Sequence, residues 1–408
     1  MDTSPLGRRR FLKAGLAGLA GATLLPACKQ QNKIAASREK RQPREFVYRT
    51  LGKTGIKLPI VGIGAVSFDP GLYRSALDSG IRHVDTAPTY QNGNHERMLG
   101  TVFKSRPRDS FIVATSYSAD RYLDREKRAF RTDIPIEPLA GSLESSLKRL
   151  GLDYVDIFYL SYTCSRETAL YEPFLRHLEK LKREGKTRFI GVCTHENEPE
   201  VLRAAAESRI FDVVLTVYNF RQVHREEMKR AIAAAAAAGV GIIAMKTQAG
   251  ASWDRGAARS VNMTAALKWV LQDENVHTSV PGITSHGQLQ ADLAVMENPV
   301  LTESEKKDLE RVGSLPYQLS SHFCQHCRRC VPQCPFRLDI PTLMRSYMYV
   351  YGYKSPARAQ EALKHMDITE LPCAGCLHCR VRCTVGFDIR AKAMDIFRLK
   401  TGPEEFLV

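Results

Sequence analysis

Eight cysteines in the last quarter of the chain carry its most specific chemistry. Cys324, Cys327, Cys330 and Cys334 have the spacing C-x-x-C-x-x-C-x-x-x-C, and Cys373, Cys376, Cys379 and Cys383 repeat it. Three thiolates this close can cap one face of an iron–sulfur cubane while the chain carries the fourth away. The competing readings are a disulfide framework and zinc sites. Neighbouring cysteines in such a run are poorly placed for disulfides, and a zinc site needs four ligands but no duplicated four-cysteine run. Two [4Fe-4S] clusters are therefore expected. The repeat runs past the ligands: Asp339-Ile340 follows the first run at the offset at which Asp388-Ile389 follows the second. Two copies of one supersecondary unit account for this.

The pattern resembles two-cluster ferredoxins, in which the fourth cysteine of each run ligates the other cluster. That resemblance implies the sets Cys324, Cys327, Cys330 with Cys383, and Cys373, Cys376, Cys379 with Cys334. Pro335 follows the first run as the pattern expects, and Thr384 stands where the second proline would be. The helical-looking insert 339–366 points to an α-helical ferredoxin. Of the other cysteines, Cys164 and Cys193 read as core residues, the commoner fate of a single Cys.

The elements upstream are strands alternating with helices. Apolar runs recur at 60–64, 82–85, 111–114, 154–160, 189–192, 213–217, 240–245 and 278–280, and helical patterns fill 138–150, 174–184, 198–208, 224–238 and 261–272. Eight strand candidates alternating with helices predict an α/β chain built as a (β/α)8 TIM barrel, with a doubly wound sheet as the alternative. The alanine run 233–238 reads as barrel helix rather than linker. Thr302 and Glu305 form a capping box for one further helix over 302–312. The expected organisation is a targeting segment (1–28), a basic tether (29–45), the barrel (46–312) and a small α-helical two-cluster domain (313–408).

The segments from Tyr48 to Gly55, His83-Val-Asp85 through Tyr90, Gly151-Leu-Asp-Tyr-Val-Asp, Ile190-Gly-Val-Cys-Thr-His195, Val217-Tyr-Asn219 and Val280-Pro-Gly282 occur in this order. They resemble the aldo/keto reductase superfamily, in the branch with an appended ferredoxin-type domain. The family fold is a (β/α)8 barrel with its site at the C-terminal ends of the strands, and the resemblance carries its catalytic tetrad onto this sequence. Asp85 and Tyr90 match two positions, with the tyrosine as proton donor to a substrate carbonyl. The lysine position falls at Ser116 and the histidine position at Ser161. A tyrosine titrates near 10 alone, so acid or base work at neutral pH needs a nearby cation, which serine does not supply. His195 after the fifth strand and Lys246 after the seventh are the candidates to compensate. For His195 the alternative is a polar residue at the start of a helix, and for Lys246 a solvated strand-end lysine. In similar sequences the lysine lies near cofactor phosphates, so Lys246 is assigned to cofactor binding. For NAD(P), Tyr218 matches the aromatic that stacks on the nicotinamide. Cys193 and Thr194 replace the usual Ser-Asn pair, and the residues that would read a 2′-phosphate are missing around Gly282 to Asp292. No preference for NADP over NAD follows.

The first residues set the location. Arg8-Arg9-Arg10-Phe11-Leu12-Lys13, a short Gly/Ala/Leu stretch and Leu25-Pro26-Ala27-Cys28 resemble a twin-arginine export signal ending in a lipobox, against the alternative of a basic N-terminal helix. The stretch is too short and Gly-rich to span a bilayer. The expectation is export to the periplasm or outer membrane face, with a lipid anchor at Cys28. The chain's net charge is +15; residues 1–28 carry +3 and 29–44 carry +5. More than half of the excess thus lies in the signal and tether, where it favours an anionic membrane surface. Nucleic-acid binding is not expected, because no motif for it accompanies the charge.

Two functions compete. One is an exported iron–sulfur oxidoreductase acting on a small carbonyl- or hydroxyl-bearing substrate, with the clusters passing electrons to or from that substrate and an electron-transfer partner left unidentified. The other is a non-catalytic barrel serving as scaffold or ligand-binding module for an electron-carrying domain. Ser116 and Ser161 favour the second, and Asp85, Tyr90 and Tyr218 favour the first.

Overall fold

The computed structural model describes residues 44–403 apart from 125, 250–260, 314–321, 325, 353–354, 365, 367 and 377. The expected signal and lipobox, including Cys28, lie outside the described residues. First comes a hairpin of β1 (Tyr48–Thr50) and β2 (Lys57–Pro59). Its apolar residues Leu51, Ile56 and Leu58 are buried inside the barrel core. The backbone N–H of Lys53 donates to Gly239 O at 2.7 Å. Gly52 has φ 49°, and a Cβ there would lie 2.4 Å from Gly239 O, so only glycine fits this approach. The hairpin therefore plugs the N-terminal end of the barrel.

The barrel strands are β3 (His83–Asp85), β4 (Ile112–Ser118), β7 (Val155–Thr163), β8 (Thr187–Thr194), β9 (Val213–Val217), β10 (Gly241–Met245) and β11 (Thr278–Ser279). A short ladder of β5 (Leu123–Asp124) and β6 (Ala129–Phe130) lies in the connection after β4. The barrel strands pair in parallel in the order β11-β10-β9-β8-β7-β4-β3. Residues 60–64 supply the eighth position: Val61 bridges Ser279 and Ile63 bridges Val84, both in parallel. The bridges join the two edges, so the sheet is a closed (β/α)8 barrel rather than a doubly wound sheet. Strands buried on both faces read as unbroken apolar runs, which is why all eight were legible.

Helices α1 (Pro70–Asp78), α2 (Asn94–Phe103), α3 (Pro138–Leu150), α4 (Arg166–Ala169) with α5 (Glu172–Arg183), α6 (Glu198–Ser208), α7 (Arg225–Ala237), α8 (Met263–Leu271) and α9 (His286–Glu297) cover the sheet. The alanine-rich α7 is one of them, burying Met228, Ala231, Ile232 and Ala235. Helices α1, α2, the short α4 and α9 were not anticipated from the sequence, although α1 and α2 each bury one face: Leu72, Tyr73 and Ala76 in α1, Leu99, Val102 and Phe103 in α2. In α9 the apolar residues are spread around the helix instead of forming a stripe. Helix α10 (Glu303–Gly313) begins with the expected capping box: Glu305 N donates to Thr302 Oγ1 at 3.2 Å, and Thr302 N to Glu305 Oε2 at 2.8 Å.

Helices α11 (Ile340–Tyr351), α12 (Pro356–Lys364) and α13 (Ile389–Phe397) form a second core with Leu338, Phe387 and the cysteine runs. The repeated Asp-Ile pair marks the starts of α11 and α13. Asp388 caps α13 by accepting from Ala391 N at 2.9 Å, whereas Asp339 accepts from the Thr342 hydroxyl at 2.6 Å. Gln333 ties the two halves together, accepting from Arg382 N at 2.7 Å and donating to Arg382 O at 3.2 Å. Among the described residues no helix is long and apolar enough to cross a membrane.

Candidate functional site

With the N-terminal end plugged, chemistry is left to the C-terminal mouth. Asp85 ends β3, Ser116 lies near the end of β4, and Ser161 and Tyr162 near the end of β7. The β7–β8 register shifts between Ser161 and Thr163, and Tyr162 there adopts φ 64°. This bulge re-aims one side chain. Cys193 and Thr194 end β8, His195 follows them, and Lys246 follows β10 with φ 55°.

Helices α11 and α12 cover this mouth. The Tyr162 and Tyr349 hydroxyls are 2.9 Å apart, and Arg358 Nη2 donates to Tyr162 Oη at 2.8 Å. The guanidinium carbons of Arg345 and Arg358 lie 5.4 and 5.7 Å from the centre of the Tyr162 ring. Against the other side of the cluster, the His195 ring is 4.7 Å from that of Tyr162, with its Nε2 3.7 Å from Cys193 Sγ. Lys246 Nζ is 5.9 Å from the centre of the Phe323 ring.

This environment sets the ionisation of each group. Burial, reinforced by Lys246, His326, Arg345 and Arg358, holds His195 well below the usual histidine range, so it is neutral at neutral pH. Burial also lowers Lys246. Burial alone would raise Tyr349, yet Arg358, Arg345, the Tyr162 hydroxyl and Lys246 outweigh it and make it the acidic member of the pair. Burial raises Tyr162. The cations that a useful tyrosine needs are therefore present, beside Tyr349.

The two expected tetrad residues stand differently. Asp85 is buried, its Oδ2 has no hydrogen-bond partner, and burial pushes it to about 8. That is the consequence of serine at position 116: no cation offsets the desolvation. Tyr90 is 37% exposed, on a turn after β3, with its ring edge-on to His95 at 6.1 Å. The groups of the Tyr162 cluster are buried or half-buried instead. Of the expected cofactor residues, Lys246 joins the cluster. Tyr218 is buried against Trp269 at 5.1 Å, in the layer between sheet and helices. The structure thus brings His195 and Lys246 together and leaves Tyr90 and Tyr218 outside that cluster. Sequence reasoning missed Tyr162, Arg345, Tyr349 and Arg358. A signal existed for Arg345, the lone charge in the otherwise apolar and neutral stretch 340–351.

Cys324 interacts electrostatically with Cys330, Cys383 and Cys327, and Cys373 with Cys334, Cys379 and Cys376. These are the neighbours that the expected crossed sets would require, and donors lie against three of the sulfurs. His326 N donates to Cys324 Sγ and Val385 N to Cys383 Sγ, both at 3.4 Å, and the Thr384 hydroxyl is 3.2 Å from Cys327 Sγ. Burial raises Cys330 to about 12, so its thiol keeps its proton when free and would release it on binding metal. The residues present therefore fit [4Fe-4S] ligation. Cys324 adjoins Phe323, the residue beneath Lys246, and His326 lies close enough to His195 to depress it. On the solvent side a cleft of about 390 Å³ is lined by Cys327, Arg128, Arg328, Arg329 and Arg337.

The buried carboxyl generates a pH test. Unfolded aspartate ionises near 3.8, whereas folded Asp85 keeps its proton to about 8. The folded state binds the extra proton between those values, so this contribution is complete below the lower one and is lost as pH rises to the upper. The urea midpoint of the natural protein should fall across that window, and that of Asp85→Asn should fall less. Ser116→Lys should return Asp85 toward the usual range, removing the infrared band of a protonated carboxyl at neutral pH. A natural protein whose midpoint holds level, with no such band, would mean that Asp85 is ionised.

Comparison with known proteins agrees with this architecture. Residues 71–264 match the aldo/keto reductase family, and residues 323–388 match a 4Fe-4S dicluster domain. L-galactose dehydrogenase of Arabidopsis thaliana is 37% identical over 158 residues, 35% of this chain and 47% of that protein. D-threo-aldose 1-dehydrogenase of a Pseudomonas species is 28% identical over 222 residues, 47% of this chain and 66% of that one. The chain thus spans about half to just under two thirds of these curated relatives' length. Among solved structures, an aldo-keto reductase from Bacillus halodurans aligns with a TM-score of 0.52 at 21% identity, over 66% of this chain and 96% of that one. One from Klebsiella pneumoniae, in complex with NADPH, aligns with a TM-score of 0.50 at 19% identity, over 67% and 98%. At such identities the structures speak for the fold alone. The chain carries an aldo/keto reductase domain, folded as a (β/α)8 barrel, followed by a C-terminal 4Fe-4S dicluster domain.

Proposed function

We propose that this protein is an exported oxidoreductase of the aldo/keto reductase type, interconverting the hydroxyl and carbonyl forms of a small substrate and exchanging electrons through two [4Fe-4S] clusters. The observation that carries the proposal is the seating of α11 and α12 on the barrel mouth, which puts Arg345, Tyr349 and Arg358 of the cluster domain beside Tyr162 of the barrel. A scaffold joined to an electron carrier has no need of a shared ionisable cluster. Each bound cluster would supply a one-electron centre, held by one crossed set of cysteines. Within the chain, Tyr349 is the group suited to hold or release a proton at the substrate oxygen, and neutral His195 can accept or donate a hydrogen bond. Asp85 stays protonated as a buried donor, and Tyr90 takes no part. Oxidising the hydroxyl removes two electrons and a carbon-bound hydrogen while each cluster takes one electron, so a two-electron carrier, a nicotinamide or a flavin, would accept the hydride and pass its electrons to the clusters. Electrons reach or leave the solvent-side partner near the cleft that Cys327 lines. The relatives' names, dehydrogenases of L-galactose and of D-threo-aldoses, support a polyhydroxy substrate.

The test is anaerobic. Cluster-loaded protein is mixed with a panel of aldoses and small hydroxy compounds, or after reduction with their carbonyl forms, and cluster absorbance is followed. A substrate should bleach or restore the clusters, and Tyr349→Phe should slow this about 100-fold, the usual worth of a general acid or base. Exposed Tyr90 and serine at 116 and 161 favour the scaffold reading, which gains if no compound changes the absorbance and mass spectrometry finds nothing released on denaturation.

Crossed ligation gives a second outcome. Cys383→Ala should chiefly alter the paramagnetic resonance of the cluster on Cys324, Cys327 and Cys330, and Cys334→Ala that of the other. Damage confined to the cluster of the mutated run would reject the crossed sets.

The location proposed is the periplasm or outer membrane face, with the chain delivered by the twin-arginine route and anchored through a lipid on Cys28. Clusters inserted in the cytoplasm require a route that carries folded protein, and the basic tether suits an anionic surface. Arg9→Lys with Arg10→Lys should leave cluster-loaded protein inside the cell. Undiminished export of that variant would refute the route.

A further inference from the structure

We propose that the roofed barrel mouth binds a small oxyanion, the carboxylate or phosphate group of the substrate, between Lys246, Arg345 and Arg358. The inference rests on reading the mouth as the substrate site and narrows the substrate to a hydroxy or oxo compound carrying such a group.

Arg345 and Arg358 flank Tyr162 and Lys246 lies near enough to Arg345 to act on it, and among the described residues only Arg358 of the three is ion-paired. Arg358 has Glu361 at 3.2 Å, a carboxylate that is itself 57% exposed. Arg345 is only 4% exposed. Its Nε has no hydrogen-bond partner, and its Nη2 reaches only the Thr342 hydroxyl, at a long 3.5 Å. Lys246 has Phe323 beneath it, and among the described residues no carboxylate lies within ion-pairing distance of either Lys246 or Arg345. Asp120 and Glu196 act on Arg345 from beyond ion-pairing distance and, with the two tyrosines, hold it above the usual arginine range; Asp120 also acts on Arg358 and accepts from the Ser118 hydroxyl at 2.6 Å, and Glu196 faces Arg328 at 3.7 Å. Tyr162 and Tyr349 are hydrogen-bonding groups that leave the excess of positive charge in place while protonated. A buried cation without a counter-ion is strongly disfavoured, and a chain that places two together has a site an anion completes.

The geometry favours an oxyanion over a halide. Planar guanidinium groups pair with carboxylate or phosphate through two parallel N–H bonds, and a lysine adds a point charge. His195 Nδ1, also without a partner, adds one more polar atom at the rim. An oxyanion held here sets the adjoining carbon of the substrate near Tyr349.

Binding is measured without turnover, so its failure would leave the electron-transfer reading to its own test. Anaerobically purified, cluster-loaded full chain is titrated calorimetrically with oxalate, with inorganic phosphate and with uncharged glycerol, and melting is followed in each. Oxalate, phosphate or both should bind and raise the melting temperature, while glycerol does neither; oxalate alone identifies a carboxylate site and phosphate alone a phosphate site. Arg345→Gln and Lys246→Met should each weaken binding about tenfold or more. Lys246→Met should also melt higher than the natural protein without ligand, since it removes an unpaired buried charge. If one variant fails to keep its clusters, the other decides. The proposal falls if neither oxalate nor phosphate binds the natural protein, or if both bind the folded variants undiminished. It also falls if the ligand-free protein shows a tyrosinate absorbance at neutral pH that Tyr349→Phe removes, because the chain would then supply its own counter-ion.

Discussion

The contact between the Tyr162 and Tyr349 hydroxyls, with Arg358 donating to the first, is the joint on which the architecture turns. Tyr162 belongs to the barrel, whereas Tyr349 and Arg358 belong to the helices that follow the first cysteine run. A left-handed φ on a non-glycine residue costs on the order of 1 kcal/mol or more, so Tyr162 holds it only because the surroundings demand it. The demand is positional: a regular β7 would alternate its side chains, and the bulge frees the one at 162 to meet α11. Once that contact is made, the cationic residues of α11 and α12 follow it into the mouth.

Serine at position 116 and the cations carried by α11 and α12 set the ionisation of different acids in the barrel. Without the lysine, Asp85 is a desolvated carboxyl that keeps its proton, and Tyr90 is left exposed beside His95. A tyrosine becomes useful near neutral pH when cations stabilise its anion more than burial opposes it. Around Tyr349 that balance is met by Arg358, Arg345 and Lys246. From the sequence that balance was sought at Tyr90, and the structure gathers the cations at Tyr349.

What was legible follows from range. The strands announce themselves through local apolar runs, and the capping box at Thr302 through two residues three apart. The cysteine sets are legible because the spacing of a ligand run is a local property and the run is repeated. His195 and Lys246 were found because barrel strands end at one face, so any polar residue at such an end is a candidate. Tyr162, Arg345, Tyr349 and Arg358 were not, because their meeting spans up to 196 residues of sequence and depends on how the cluster domain seats. Tyr218 shows the opposite case. Its local motif matches, but its ring packs on Trp269, a residue that nothing in the motif predicts.

The seating in turn depends on what organises the second core. Helix α11 buries Ile340, Leu343 and Met344 against the same cluster of residues that holds Cys334, with Cys324, Cys330 and Cys383 packed at its edge. That core is small, and its helices gain less from apolar burial than a full domain would. Ligation that fixes the cysteines therefore also fixes the buried face of α11. The opposite face carries Arg345 and Tyr349 to the barrel, so the groups that complete the mouth are held by the redox module itself. Phe323 and His326 extend the dependence, since they flank Cys324 and lie against Lys246 and near His195. Cluster binding and site assembly are in this sense one structural condition, and a change at the cysteines reaches the mouth through α11 and through the residues flanking Cys324.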